Sequence, residues 1–184
     1  MENNTVISVI FLAFVLIYSA YAIVTYVLTA KSLHTIAQRR GIAHPWLAWI
    51  PVANCWLLGS LSDQYKMRKY RYDPVLRKTL LIFGIVSETS SFLLNSISLY
   101  NNITFNNFSE LGSLVFLLIL ALASVGIAIV AVVYTYKAYY DLYASCKPNL
   151  AVLFLVLHIV TPAGPFLTYA CRNSDDGLPV QTEE

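Results

Sequence analysis

The stretch from Thr5 to Ala30 reads T-V-I-S-V-I-F-L-A-F-V-L-I-Y-S-A-Y-A-I-V-T-Y-V-L-T-A and contains no charged residue. A helix needs about 20 apolar residues to cross a hydrocarbon layer ~30 Å thick. This run is long enough, and it decides the fold class. Its flank Met1-Glu2-Asn3-Asn4 has no basic residue, and apolar sequence continues past Ala20-Tyr21-Ala22. A retained first span is therefore expected rather than a cleaved signal.

The rest of the chain repeats the pattern. Apolar runs cover 80–100, 111–136 and 150–170, the last interrupted by Pro162 and Pro165 around Gly164. Of the 184 residues, 58% are hydrophobic and 12% charged, against about 25% charged in a soluble domain. A net charge of +2 argues against nucleic acid as a partner. The expected fold is all-α: one membrane domain, a polytopic helical bundle with four full spans and a tail over 172–184. A shorter stretch, 45–61, carries Trp46, Trp49 and Trp56 around Pro51 and Asn54. It reads as a short tilted span, a re-entrant half-helix or an interfacial helix.

Charge placement chooses among these. Lys31, Arg39 and Arg40 precede 45–61, and Lys66, Arg68, Lys69, Arg71, Arg77 and Lys78 follow it. The 101–110 loop has no Lys or Arg. The positive-inside rule then favours a segment that does not cross, an extracytoplasmic amino terminus in a cell membrane and a cytoplasmic 62–79 loop. Four crossings would carry Arg172 outside; a re-entrant hairpin through Thr161-Pro162-Ala163-Gly164-Pro165 would keep it inside. The simpler crossing is the expectation. The two proline-broken segments, each after a full helix, hint at a degenerate repeat of the kind that marks binding sites in transporters.

Within the spans, Glu88 is the sharpest residue, since an acidic group there is costly and marks function by default. Gly84, Glu88, Ser91, Asn95 and Ser98 recur at spacings of three and four, which places them on one helical face. This face reads as an ion or polar-solute pathway, with His158 as a partner for Glu88, or as polar glue between helices. Ala121, Ser124, Ala128, Ala131 and Thr135 form a small-residue stripe suited to close helix packing, against the chain's own helices or against a second copy or partner subunit.

Outside the spans, Lys31–Pro45 reads as an amphipathic helix along the inner leaflet, with Leu33, Ile36 and Ala37 on one face. Lys66, Arg68, Lys69, Arg71, Arg77 and Lys78 are expected to contact anionic lipid headgroups. Tyr134, Tyr136, Tyr139, Tyr140 and Tyr143 suggest an aromatic belt.

Cys55, Cys146 and Cys171 lack ligand spacing and read as free thiols, so neither a metal nor another cofactor is expected. Neither G-x-S-x-G, H-E-x-x-H nor a Walker loop occurs. The favoured function is a non-catalytic accessory, scaffold or regulatory component of a membrane complex. The alternative is a small transporter or channel for a cation, proton or polar solute.

The stretch from Gly41 to Asn54, G-I-A-H-P-W-L-A-W-I-P-V-A-N, with Leu58-Gly59 and Asp63 behind it, resembles an element of small uncharacterised multi-pass proteins of Gram-positive bacteria. Those carry G-x-x-x-x-W-x-A-x-I-P-x-x-N after a first helix, often with an aromatic residue where this chain has Ala53. The resemblance implies a bacterial plasma-membrane protein and carries no mechanism.

Overall fold

The computed structural model describes residues 2–71, 75–104 and 111–178. They form six α-helices: α1 (Glu2–Arg39), α2 (Ala53–Tyr70), α3 (Leu76–Thr104), α4 (Leu111–Cys146), α5 (Ala151–Val160) and α6 (Gly164–Cys171). Short 3-10 turns at Pro45–Trp49 and Pro148–Leu150 lead into α2 and α5. No strand occurs among the described residues. Three helices, α1, α3 and α4, are long and apolar enough to cross a membrane.

α1 runs without a break into the segment expected to lie along the leaflet. Nothing between Ala30 and Lys31 stops it, and it ends only at Gly41, which adopts φ +66. There the Ile42 N–H donates to the Ala37 carbonyl (3.0 Å) and the Gly41 N–H to the Gln38 carbonyl (3.3 Å), the bond pair of a Schellman stop. Leu33, Ile36 and Ala37 do share a face, but it is buried in the core rather than laid on lipid.

From Arg40 the chain turns back along α1. Proline sets the corners, because the residue before a proline is driven to extended backbone. Ile50 before Pro51 has φ −102 and ψ 120, and Thr161 before Pro162 has φ −125 and ψ 153. The 45–49 turn climbs until the Tyr26 hydroxyl donates to the Trp49 carbonyl, ~20 Å along α1 from Arg39. α2 then descends, and the Gln64 amide donates to the Arg40 carbonyl at 3.0 Å. The Trp-rich segment thus enters and returns.

The same happens after α4, so 150–170 is not a single span. α5 has 10 residues and α6 has 8, about 15 and 12 Å of helix, each too short for the hydrocarbon layer. At the tip, the Tyr21 hydroxyl donates to the Pro162 carbonyl at 2.8 Å. At the base, Arg39 donates to the Arg172 carbonyl at 2.7 Å. The expected fourth crossing is therefore a hairpin, and Arg172 returns to the end where α4 finishes. Pro162 breaks the helix, and α6 restarts with Pro165 in its first turn, where no N–H is needed.

The core sits at this basic end, where both hairpins pack between the long helices. It includes Leu33, Ile36, Leu57, Leu61, Leu80, Leu142 and Tyr143. Buried charges there are balanced in place. Asp63 accepts the Leu76 and Arg77 N–H groups (3.0 and 2.9 Å), capping α3 from another helix. Asp141 accepts from the Ser62 hydroxyl and pairs with Lys66 at 2.9 Å. Arg39 and Arg40 hold Asp175 at 2.6 and 2.7 Å, and the Asp176 and Gly177 N–H groups cap the carbonyls of Cys146 and Ser145. A Cβ on Gly177 would lie 2.0 Å from the Ala144 carbonyl oxygen. Further out the helices separate. Among the described residues α1 packs against neither α3 nor α4, and its side chains from Val6 to Ile23 are exposed.

At Gly59 a Cβ would stand 2.5 Å from the Arg77 Cα, whereas at Gly126 it would meet nothing within 4 Å. Gly59→Ala should lower the thermal midpoint in mild detergent by separating α2 from α3. Gly126→Ala should hold or raise it, since alanine gains up to ~1 kcal/mol in a helix interior.

Candidate functional site

The tip of the first hairpin meets α3, α4 and α5 around a cavity of about 330 Å³. Pro51, Val52 and Cys55 bring the start of α2 to it, and α3 contributes Leu80, Phe83, Gly84, Ser87 and Glu88. Gly84 makes room, because a Cβ there would touch Cys55 Sγ at 3.5 Å. α4 supplies Ala128, Ala131, Thr135, Tyr136 and Tyr139, and α5 supplies His158. Glu88 lies ~16 Å along α3 from Arg77, about half the thickness of a hydrocarbon layer.

Glu88 and His158 therefore line one cavity, but no ion pair or hydrogen bond joins them. His158 is committed elsewhere. Its Nδ1 is 2.8 Å from the Tyr143 hydroxyl, and its ring packs edge-on against Tyr139 with centroids 4.4 Å apart. A Cβ on Gly164 would come within 2.3 Å of the imidazole, so the hairpin closes tightly over it. His158 is the packing hub of the second hairpin.

Polar groups in the long helices fall into two kinds. The hydroxyls of Thr25, Thr29, Thr89, Ser96, Ser124 and Thr135 donate to carbonyls one turn back in their own helix. Such bonds satisfy a hydroxyl locally. Around the cavity the opposite holds. The Glu88 carboxylate and the hydroxyls of Ser87, Tyr136 and Tyr139 engage no hydrogen bond or ion pair among the described residues. The cavity is partly open and the Glu88 side chain is exposed, so these polar groups are accessible from it.

The cavity continues outward as two narrow spaces along the α3–α4 seam, of about 140 and 130 Å³. Ser91 lines the first with Ser87, Ser90 and Ser124. Asn95 donates to the Ser91 carbonyl at 2.9 Å on its own helix. The Ser98 side chain lies outside the described residues. Ala128 and Ala131 face the cavity and Ala121 is half-buried, so the α4 stripe is turned mainly to α3.

Of the residues expected at lipid headgroups, Lys66 is instead turned inward, because the buried Asp141 needs its charge. Arg68 and Lys69 border an open groove with Asp176, Gly177 and Leu178. The Lys69 ammonium donates to the Tyr65 hydroxyl at 2.8 Å, and that bond raises its pKa. Arg71 and Lys78 are exposed and Arg77 is half-buried. Tyr143 is wholly buried and Tyr139 lines the cavity, so these two belong to the packing around His158 rather than to a belt. Cys146 and Cys171 are buried free thiols. Among the described residues no group of three His, Cys, Asp or Glu side chains could hold a metal ion.

Sequence reasoning missed Phe83, Tyr136 and Tyr139 as site residues. Continuing the stripe Ala128–Ala131–Thr135 by one turn reaches Tyr139, which was the available signal. No family model, curated protein or solved structure matches the chain.

The two tyrosines nearest His158 should separate in a melting experiment. Tyr143→Phe removes a buried bond and is expected to cost about 1 kcal/mol. Tyr139→Phe, whose hydroxyl has no partner, should leave the midpoint unchanged.

Proposed function

We propose that this chain is a small membrane transporter that takes a positively charged or protonated solute at Glu88 and passes it along the α3–α4 seam. One observation carries the reading: Glu88 and the hydroxyls of Ser87, Tyr136 and Tyr139 line one partly open cavity about midway along α3 and engage no hydrogen bond or ion pair among the described residues. Two features support it. Broken segments whose tips reach the middle of a bundle are a recurrent way of building such sites. In addition, the buried Leu57, Leu61, Leu80 and Leu142 close the basic end beneath the cavity, while the spaces along the seam lead away from it.

In this reading α1, α3 and α4 cross, and both hairpins enter from the cytoplasmic leaflet. With 150–170 folded back, Arg39, Arg40, Arg68, Arg77, Lys147 and Arg172 share one side, as the positive-inside rule requires. The resemblance of 41–54 to Gram-positive proteins makes a bacterial plasma membrane the proposed location. The exposed Arg71 and Lys78 there suit anionic headgroups.

The test is proton flux into liposomes carrying an entrapped pH-sensitive dye. Wild type should dissipate an imposed gradient, and Glu88→Gln should slow it by about tenfold, the equivalent of ~1.4 kcal/mol. Equal rates would remove the site. For the topology, Asn173→Cys and Lys78→Cys should both react with an impermeant maleimide from the cytoplasmic face alone. Labelling of Asn173→Cys from outside would restore a fourth crossing.

The accessory reading keeps one specific support, the bare outer half of α1, exposed from Val6 to Ile23. A second copy or a partner subunit would cover that face. A strictly monomeric, partner-free protein in mild detergent would end this reading.

A further inference from the structure

The chemistry of the cavity narrows what cation it accepts. An alkali or alkaline-earth ion sheds its water only when several oxygens replace it. Here Glu88 supplies the single formal negative charge among the lining residues, the other oxygens are neutral hydroxyls, and no group of three His, Cys, Asp or Glu side chains that could hold a metal occurs among the described residues. The volume, about 330 Å³, exceeds what a bare ion needs and falls at the lower end of small-molecule pockets. Phe83 of α3 and Tyr136 and Tyr139 of α4 contribute aromatic surface to the lining, together with Val52, Leu80 and Val132, while the Phe83 ring also stacks on Tyr134 and the Tyr139 ring on Tyr143. An aromatic ring attracts a cation held over its face. The free hydroxyls of Ser87, Tyr136 and Tyr139 can each accept a hydrogen bond.

We infer that the cavity binds a primary ammonium carrying an apolar body of about aryl size, its N–H groups donated to Glu88 and the neighbouring hydroxyls and its body seated among Phe83, Tyr136 and Tyr139. The inference rests on the proposed role of Glu88 and specifies its substrate class. A primary ammonium suits the site better than a quaternary one, because only the former has donors for those free oxygens. An apolar body suits the walls and also allows entry through the seam from lipid.

The experiment is calorimetric binding of phenethylammonium to the full-length protein in nanodiscs of neutral phospholipid. Sodium and tetramethylammonium serve as comparison cations. Wild type should show saturable binding at one site, with neither comparison cation competing at equal concentration. Glu88→Gln should weaken binding at least tenfold. Tyr139→Leu should weaken it roughly two- to thirtyfold, the range of a cation–ring contact, and Tyr139→Phe, which keeps the ring and loses only one hydroxyl acceptor, should weaken it less than Leu does. Should Glu88→Gln fail to fold, the contrast between Leu and Phe at position 139 still decides the matter. Binding equal in all variants would mean partition into lipid and would overturn the inference. No binding alongside Glu88-dependent proton flux would overturn it while leaving the transport reading intact. Loss of both would remove both.

Discussion

Asp63, Asp141 and Arg40 are buried where the helices converge, with the half-buried Asp175 beside Arg40, and a charge withdrawn from water must be balanced where it stands. Each is balanced by a group from a distant part of the chain. Asp63 of α2 receives the first N–H groups of α3. Asp141 of α4 receives Lys66 and Ser62 of α2. Asp175 receives the paired arginines that end α1. Together these tie α1, α2, α3, α4 and the 172–178 strap at one end. The two hairpins can fold back into an apolar environment because that end is fixed. Breaking any one of these sets would leave a charge or a helix terminus without compensation, at a cost that surface ion pairs do not carry.

The same accounting explains why the cavity stands out. Several hydroxyls in the long helices, among them Thr25, Thr29, Thr89, Ser96, Ser124 and Thr135, turn back on their own helix. Open polar groups of three kinds, a carboxylate, a serine and two phenols, gather at one small space reached by the turn at Pro51, by α3 at Glu88 and by α4 at Tyr139. Such a concentration is more informative than the presence of one acidic residue. A single glutamate can serve as glue between helices, but the Glu88 carboxylate makes no hydrogen bond or ion pair to another helix among the described residues.

Much of this was legible in the sequence. The helical class, the three long apolar runs and the breaks at Pro51 and Pro162 follow from hydropathy and from the way proline removes a donor. Of the residues that spacing put on one face of α3, Gly84 and Glu88 line the cavity and Ser91 the seam, whereas Asn95 turns back on its own helix and the Ser98 side chain lies outside the described residues. The return of the last segment was not legible. A proline break fits a kinked crossing as well as a hairpin, and what decides is Arg39 and Arg40 meeting Asp175 across more than a hundred residues. The face formed by Leu33, Ile36 and Ala37 failed for a related reason. An apolar face does not say whether lipid or protein covers it. Lys66 failed because Asp141, which claims it, lies far along the chain, and His158 proved to be a packing residue because Tyr143 and Gly164 enclose it.

The hairpins have one further consequence for any bilayer that holds the molecule. At the basic end α1, both arms of each hairpin, α3 and α4 stand side by side, while among the described residues only α1, α3 and α4 extend toward the opposite end. In a bilayer such a wedge-like cross-section would displace more lipid from one leaflet than from the other. A body of that shape sits with least strain where the two monolayers differ in area, so local curvature would favour one membrane region over another with no headgroup chemistry involved.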